Sequence, residues 1–250
     1  MILAIANQKG GVGKTTTAIN LGAGLGALER RVLLVDCDPQ ANATRGLGLE
    51  ASPPHLYHAL TGEVPLAAIV RPSGFPNLDV VPAQRDLVGV EVEFVGEEGW
   101  EKRLKAVLSG VAGRYDTILL DCPPSLGHLT VSALVAADGV LVPLQCEYFA
   151  LEGITELLAN VKRIQGSLNP RLAIAGILLT MYDDRTNLSR DVAGEIRSHF
   201  AGKVYDTVVP RNIRLAEAPS HGLPIFQYDI KSRGAEAYLA LAREFLRRAA

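Results

Sequence analysis

Two lysines, a threonine and a run of glycines lie close together near the start of the chain. The sequence Lys-Gly-Gly-Val-Gly-Lys-Thr-Thr occupies residues 9–16 and follows the short apolar segment 2–6. Because glycines carry no Cβ, such a turn can point consecutive backbone N–H groups at phosphate oxygens. In this pattern Lys14 reaches the β- and γ-phosphates and the Thr15 hydroxyl is a ligand of Mg²⁺. With a helix predicted over 15–28, whose positive end would face the anion, the segment predicts a phosphate-binding loop.

Two further segments carry carboxylates that suit a metal ion bound to phosphate. The apolar strand predicted over 31–36 ends in Asp36-Cys37-Asp38, and the strand predicted over 115–121 ends in Asp121. Ligands of open parallel sheets bind at the carboxyl ends of the strands, and an aspartate after an apolar strand holds Mg²⁺ in phosphoryl-transfer proteins. Taken alone, Asp36 and Asp38 could equally lie in a solvated turn. The phosphate-binding loop one strand earlier favours a position near Mg²⁺ or the attacking water.

The elements that must position these residues alternate between strand and helix. Apolar runs at 78–82, 137–144 and 172–179 predict further strands, and helices are predicted over 100–111, 151–165 and 234–248. This alternation favours an α/β fold with a doubly wound, mostly parallel sheet and helices on both faces. A length of 250 residues suits a single domain, 1–250. The acidic stretch 91–101 is expected to be a solvated face.

Composition narrows the class of protein. No apolar run approaches the roughly 20 residues that a membrane span needs, and the first residues do not resemble a signal peptide. The cysteines at 37, 122 and 146 form no C-x-x-C pair, which favours a reduced, cytoplasmic protein. A net charge of −2 argues against a chain that is basic throughout, although nucleic-acid binding needs only a local basic patch.

The phosphate-binding loop departs from the standard G-x-x-x-x-G-K-[ST] pattern, because Gln8 stands in the place of the first glycine and Lys9 follows it. This Lys-Gly-Gly-x-Gly-Lys-Thr form resembles the deviant Walker loop of the ParA/MinD family of dimeric ATPases. The segments 181–187, 209–222 and 228–235 resemble the chromosomal ParA (Soj) branch of that family. The likeness extends from residue 2 nearly to the end of the chain. It implies the P-loop NTPase fold, ATP and Mg²⁺ as cofactors, slow ATP hydrolysis and an ATP-dependent homodimer.

The resemblance also implies roles for particular residues. Lys9 would cross the dimer interface to the nucleotide of the other subunit, and Asp38 would position or polarise the hydrolytic water, so that Lys9, Lys14 and Asp38 form the expected catalytic set. Asp36 would support the metal region from behind. The expected metal ligands are Thr15, Asp38 and Asp121. The expected nucleotide-binding residues are Lys9, Gly10, Gly11, Val12, Gly13, Lys14, Thr15 and Thr16, together with Pro210 and Asn212 near the adenine.

A third set of residues is expected to bind DNA. In the ParA branch, arginines matching Arg185 and Arg214 contribute to sequence-independent binding of double-stranded DNA by the dimer. Lys231 and Arg233 are plausible additions to the same patch, although scattered basic residues in loops are usually only solvated charges. The resemblance further implies a ParB-type partner that stimulates hydrolysis, a role in chromosome or plasmid segregation, and a cytoplasmic, nucleoid-associated location.

The family pattern is not matched everywhere, and three rival functions stay open. Ala41 stands where the family has glycine, so either this position needs no left-handed backbone or the loop differs. The helix 234–248 could bind a membrane surface as in the MinD branch, although packing on the core is favoured. A metabolic synthetase on the same scaffold would need a substrate pocket. An iron–sulfur reductase using Cys122 and Cys146 would require cysteines in other positions.

Overall fold

The computed structural model describes residues 1–147 and 150–249, and within these ranges the strands form one eight-stranded sheet in the order β3-β4-β2-β5-β1-β6-β7-β8. The strands are β1 (Ile2–Ile5), β2 (Val32–Asp36), β3 (Arg71–Pro72), β4 (Leu78–Val81), β5 (Thr117–Asp121), β6 (Gly139–Gln145), β7 (Ala173–Tyr182) and β8 (Val204–Pro210). The described pairings are parallel except for the short antiparallel pair of β3 and β4. The prediction of a doubly wound, mostly parallel sheet is confirmed.

Helices cover both faces of this sheet. They are α1 (Lys14–Ala27), α2 (Asn42–Gly46), α3 (Leu56–Leu60), α4 (Val90–Glu93), α5 (Arg103–Ser109), α6 (His128–Ala136), α7 (Ala150–Ser167), α8 (Asn187–His199), α9 (Ile213–Glu217), α10 (Ile225–Tyr228) and α11 (Arg233–Ala249). One buried apolar cluster includes residues of α5 to α8, and the other includes residues of α1 and α11. Because both faces are covered, the central strands are apolar throughout rather than alternating.

The strand order brings the chemistry-bearing residues together. Strand β5 lies between β1 and β2, with Asp121 in register with Ile5 on one side and with Asp36 on the other. The phosphate-binding loop follows β1 directly. A parallel sheet therefore places the loop and both carboxylates at one edge.

The C-terminal helix α11 packs on the core. Its residues Tyr238, Leu241, Ala242 and Phe245 are buried, and the Tyr238 hydroxyl lies 3.1 Å from Thr17 Oγ1 on α1. The apolar face that a membrane-surface helix would need is already occupied. Among the helices of the described ranges, none has the length and apolar character to span a bilayer.

The acidic stretch 91–101 is not simply a solvated face. Glu91 accepts hydrogen bonds from the backbone N–H groups of His128 and Leu129, at 2.8 and 3.2 Å, and its Oε2 lies 2.9 Å from His128 Nδ1. It thus satisfies free N–H groups in the first turn of α6. The sequence alone could not predict this contact, because the two segments lie 37 residues apart. The helix predicted over 100–111 begins as a 3₁₀ turn, Trp100–Lys102, before α5.

Candidate nucleotide-binding site

The phosphate-binding loop is held open by its glycines and by polar contacts beneath it. Gly11 and Gly13 have φ angles of 75° and 88°, values that residues with a Cβ rarely adopt. Thr180 Oγ1 donates to the carbonyl oxygen of Val12 at 2.8 Å, and Lys9 N–H donates to Asn7 Oδ1 at 3.0 Å. Val12 itself is fully buried, so only its backbone can serve a ligand.

Lys14 is the first residue of α1 and lies inside the loop. Its side chain is only 7% exposed, and Nζ donates to the Lys9 carbonyl oxygen at 3.0 Å. Burial lowers the pKa of Lys14, while the charges of Asp121 and Asp38 act in the opposite direction. A largely buried ammonium group inside a glycine-rich phosphate-binding loop is suited to neutralise phosphate charge.

Asp121 is the most informative side chain of the site. It is fully buried, and neither carboxylate oxygen has a hydrogen-bond partner in the described part of the chain. Burial, and next the charge of Asp36, raise the pKa of Asp121 well above its usual range, although the nearby Thr15 hydroxyl, which makes no well-formed hydrogen bond to it, acts in the opposite direction. Since buried carboxylates are otherwise paired or bound to a cation, the orphaned oxygens fit a metal-binding role. Together with the Thr15 hydroxyl they provide the oxygen donors that Mg²⁺ prefers.

The two aspartates at the end of β2 have different surroundings. Asp36 is fully buried, and its Oδ2 accepts hydrogen bonds from the backbone N–H and the hydroxyl of Thr44, at 2.8 and 2.7 Å. Burial raises the pKa of Asp36 to about 6, against these hydrogen bonds. Asp38 instead lines the cavity over the loop, and its Oδ1 accepts from Gln40 N–H at 2.9 Å. Asp36 thus anchors α2 from behind, and Asp38 is the carboxylate available to a ligand.

Ala41 adopts the left-handed conformation, with φ of 54° and ψ of 38°. The position therefore uses the backbone geometry for which glycine is suited, and the first of the two alternatives considered for Ala41 is wrong. Its Cβ costs about 1 kcal/mol relative to glycine in this conformation. The loop between β2 and α2 thus stores a small conformational strain beside Asp38.

Two adjoining cavities follow the shape of a nucleotide. The first, of about 320 Å³, lies over the loop and is lined by Gly10, Gly11, Gly13, Lys14, Thr15, Thr16, Asp38, Gln40, Asn42, Pro124 and Met181. The second, of about 180 Å³, shares Gly13, Thr16 and Met181 with the first and is also lined by Pro210 and Asn212. A polar cavity leading into a smaller, more apolar slot suits a phosphate chain followed by a planar base.

Lys9 does not line either cavity. Its side chain is about half exposed, and its ammonium group forms an ion pair with Glu147 of the same chain. Sequence reasoning missed Glu147, which is 138 residues away and lies between β6 and α7. Gln40, Asn42 and Met181 were missed as well, because only the fold brings them to the cavity.

Comparison with known proteins places this site in a family. A family model described as an AAA domain matches residues 1–174. The chromosome partitioning protein ParA of Caulobacter vibrioides is 54% identical over 99% of this chain and 94% of its own length. The sporulation initiation inhibitor protein Soj of Bacillus subtilis is 54% identical over 97% of each chain. The chain belongs to the ParA/Soj family of P-loop ATPases.

A solved structure supports the same assignment at the level of the fold. The structure of cobyrinic acid a,c-diamide synthase from Mycobacterium smegmatis with bound ADP and magnesium has a TM-score of 0.88 and 38% identity. It covers 99% of this chain and 94% of the other. Relatives on the ParA/Soj scaffold therefore include a protein named as a synthase.

The four basic residues expected to bind DNA form two pairs. Arg185 and Arg233 both line a cavity of about 690 Å³ that adjoins the base slot through Pro210 and Arg211. Arg214 and Lys231 both contact Asp229: Arg214 Nε lies 3.4 Å from Oδ2, and Lys231 N–H donates to Oδ1 at 3.2 Å. Arg211 lines the same cavity as Arg185 and Arg233. Sequence reasoning missed Arg211, although its position next to Pro210 could have indicated it.

Arg185 and Arg214 already form ion pairs with acidic residues of the same chain. Arg185 Nη2 lies 2.8 Å from Asp183 Oδ2, and Arg214 Nη1 lies 2.9 Å from Glu217 Oε2. Both guanidinium groups remain more than half exposed. Exposed ion pairs of this kind contribute about 0–1 kcal/mol each, so a phosphate could replace the carboxylates at little cost.

Proposed function

We propose that this chain is an ATP-driven switch of DNA segregation, in which two copies enclose two Mg·ATP molecules and the ATP-bound dimer binds DNA without sequence preference. The observation that carries the proposal is the pairing of a glycine-rich phosphate cradle with the orphaned, fully buried Asp121 at the same sheet edge. The identity to proteins named for chromosome partitioning supports the biological role.

The chemistry assigned to the site requires little covalent participation by the protein. Gly10 to Thr16 would bind the phosphates, and Thr15, Asp121 and Asp38 would hold Mg²⁺, which neutralises charge on the β- and γ-phosphates. Lys14, and Lys9 from the other subunit, would stabilise the charge of the transition state. Asp38 would orient the attacking water.

The lining of the cavity supports the proposal of slow turnover. Among its described lining residues, Asp38 is the one carboxylate, and there is no histidine. A lone carboxylate is a weak base toward water, so the attacking water would be activated mainly by its position. Fast hydrolysis would then need a second protein, and the family resemblance implies a ParB-type partner.

DNA binding would depend on dimerisation. Arg185, Arg214, Lys231 and Arg233 are exposed, and a dimer doubles the number of cations that one duplex can meet. Each neutralised phosphate releases counterions, so affinity would rise and its salt dependence would steepen together. Nucleoid association in the cytoplasm is the expected location.

The test combines nucleotide state, assembly and DNA binding. Light scattering measures dimer formation, and fluorescence anisotropy measures binding to two unrelated 60-base-pair duplexes. Both measurements are made without nucleotide, with Mg·ADP and with a slowly hydrolysed ATP analogue. The proposal expects a dimer and equal affinity for both duplexes only with the ATP analogue. Binding to neither duplex in any state would refute the DNA output. Recruitment to lipid vesicles would then favour the MinD-like alternative, and turnover stimulated by a small carboxylic acid would favour a synthetase.

A further inference from the structure

A groove lies against the amino-terminal half of β7, whereas the nucleotide site lies at the carboxyl end of that strand. Its volume is about 880 Å³, and it is bounded by α7, the first residues of β7 and the end of α8. The groove includes Ala173, whereas the nucleotide cavities include Met181. On β7 the groove lining extends from Ala173 to Ile177, and the lining of the nucleotide cavities begins at Thr180, so about 10 Å of strand separates the two. The groove shares no lining residue with the nucleotide cavities or with the cavity lined by Arg185 and Arg233, so it is a separate site.

The groove combines an apolar floor with a positive rim. Leu158, Ile174 and Phe200 are half-buried within it, so their apolar side chains remain partly open to solvent. Lys162 on α7 and Lys203 before β8 are exposed at its rim. No aspartate or glutamate is among its described lining residues. In a chain whose net charge is −2, this is a locally basic and apolar surface.

The backbone beside the groove is also available for pairing. Pairing between β7 and β8 begins at Ile177 and Val204, whereas pairing between β7 and β6 begins four residues earlier, at Ala173. In the described chain, residues 173–176 thus have a strand neighbour on one side only. An unpaired strand edge offers N–H and C=O groups to an extended peptide.

We propose that this groove binds an extended, acidic peptide segment of a partner protein, with apolar side chains on the floor and carboxylates at Lys162 and Lys203. Charge complementarity selects the acidic character, and the apolar floor distinguishes a peptide from DNA, whose phosphates would gain nothing from Leu158 or Phe200. Because the groove shares no lining residue with the nucleotide cavities, such a partner would bind without competing with ATP. This inference does not depend on the proposed DNA output.

The first experiment selects ligands without presupposing a sequence. A phage library displaying random 12-residue peptides is selected on the full-length protein, and the enriched peptide is synthesised with a fluorescent label. The expected peptide contains at least two acidic and two apolar residues. Its Kd is expected to rise at least tenfold in the Lys162→Glu/Lys203→Glu variant and in Ala159→Trp, which fills the groove from the exposed position of Ala159.

Controls separate a groove effect from charge or folding. Lys102→Glu/Lys105→Glu makes the same change in net charge at exposed positions outside the groove, and it should leave the Kd within twofold. ATP turnover and the thermal unfolding midpoint should be unchanged in the groove variants. Failure to enrich any peptide, a consensus without acidic residues, or equal binding by the Lys162→Glu/Lys203→Glu variant would each overturn the proposal. Lysine-dependent binding of anionic lipid vesicles in place of peptide would overturn it in favour of a membrane contact.

Discussion

The nucleotide edge and the arginine surface use charge in opposite ways. At the nucleotide edge, Lys14, Asp36 and Asp121 are buried and held at fixed positions by the ends of α1, β2 and β5. On the arginine surface, Arg185 and Arg214 are exposed and already paired with carboxylates of their own chain. Buried charges interact strongly because the surrounding dielectric constant is low, whereas the interactions of exposed charges are weakened by water and salt.

This difference indicates which part of the molecule is specific for one kind of ligand. A single buried carboxylate without a partner creates a strong requirement for one kind of ligand, so the nucleotide edge is organised in advance. The arginine surface has no such requirement, and its binding would come from the number of cations rather than their arrangement. The effects of substitutions in the two regions should therefore differ in magnitude and in their dependence on salt.

The largest effect is expected at the nucleotide edge. Asp38→Asn keeps the size of the side chain and an acceptor for Gln40 N–H, but it removes the charge that would orient water. We expect ATP turnover to fall about 100-fold or more, the magnitude typical of a lost transition-state contact, while ATP-dependent dimerisation persists. Steady-state phosphate release and light scattering measure the two quantities.

Asp116→Asn is the matched control for that substitution. Asp116 precedes the amino end of β5 and pairs with Arg31 at 2.9 Å, remote from the cavity. Turnover should stay within twofold of the wild type. If Asp38→Asn also stayed within twofold, the assignment of Asp38 to the hydrolytic water would be abandoned.

The next effect concerns the arginine surface and is graded by salt. Replacing Arg185 and Arg214 by glutamine removes four charges per dimer, so we expect affinity for any duplex to fall at least tenfold at low salt. The slope of log K against log salt should become shallower by up to about 3.6 if all four contact phosphate. ATP turnover without DNA should not change. Anisotropy titrations at 50, 100 and 200 mM salt provide the slope.

An equal loss of charge elsewhere tests whether position matters. Arg30 and Arg85 are exposed and lie outside the two basic pairs, so Arg30→Gln/Arg85→Gln should leave both affinity and slope close to the wild type. The same loss in both double variants would mean that net charge alone governs DNA binding.

Glu147→Gln asks whether the ion pair with Lys9 restrains dimerisation. In the proposed dimer Lys9 would have to leave Glu147 to reach the second subunit, and an exposed pair of this kind is worth about 0.5 kcal/mol. With two such pairs per dimer, we expect the ATP-bound dimer to form about two- to fivefold more tightly. Glu152→Gln, at an exposed site in the first turn of α7, serves as the control. A weaker dimer would instead show that Glu147 contributes to the assembled interface.

The sequence predicted the local features of the site and missed those made by distant segments. The loop 9–16 and the position of Asp121 after an apolar strand are local patterns, so their placement at one edge follows from parallel topology. The pairing of Lys9 with Glu147 and the contact of Glu91 with α6 join residues 138 and 37 positions apart. Nothing in either segment specifies its partner, because such contacts depend on loop geometry that periodicity does not encode.

The smallest effect is expected for Ala41→Gly. The sequence showed an alanine at this position but did not predict its left-handed backbone. Glycine would relieve about 1 kcal/mol of left-handed strain. It would also remove a buried methyl group, worth about 0.8 kcal/mol, and increase the entropy lost on folding by about 0.5–1 kcal/mol. These terms nearly cancel, so the free energy of unfolding from urea titration should change by less than about 1 kcal/mol.

Gly222→Ala provides the contrast, because φ there is 67° and the new Cβ would lie 2.6 Å from Gly48 Cα. We expect it to lose more than about 2 kcal/mol, since backbone would have to move. A comparable loss in Ala41→Gly would mean that the Ala41 methyl group is essential to the packing beside Asp38, and that the nucleotide edge is as rigid there as around Asp121.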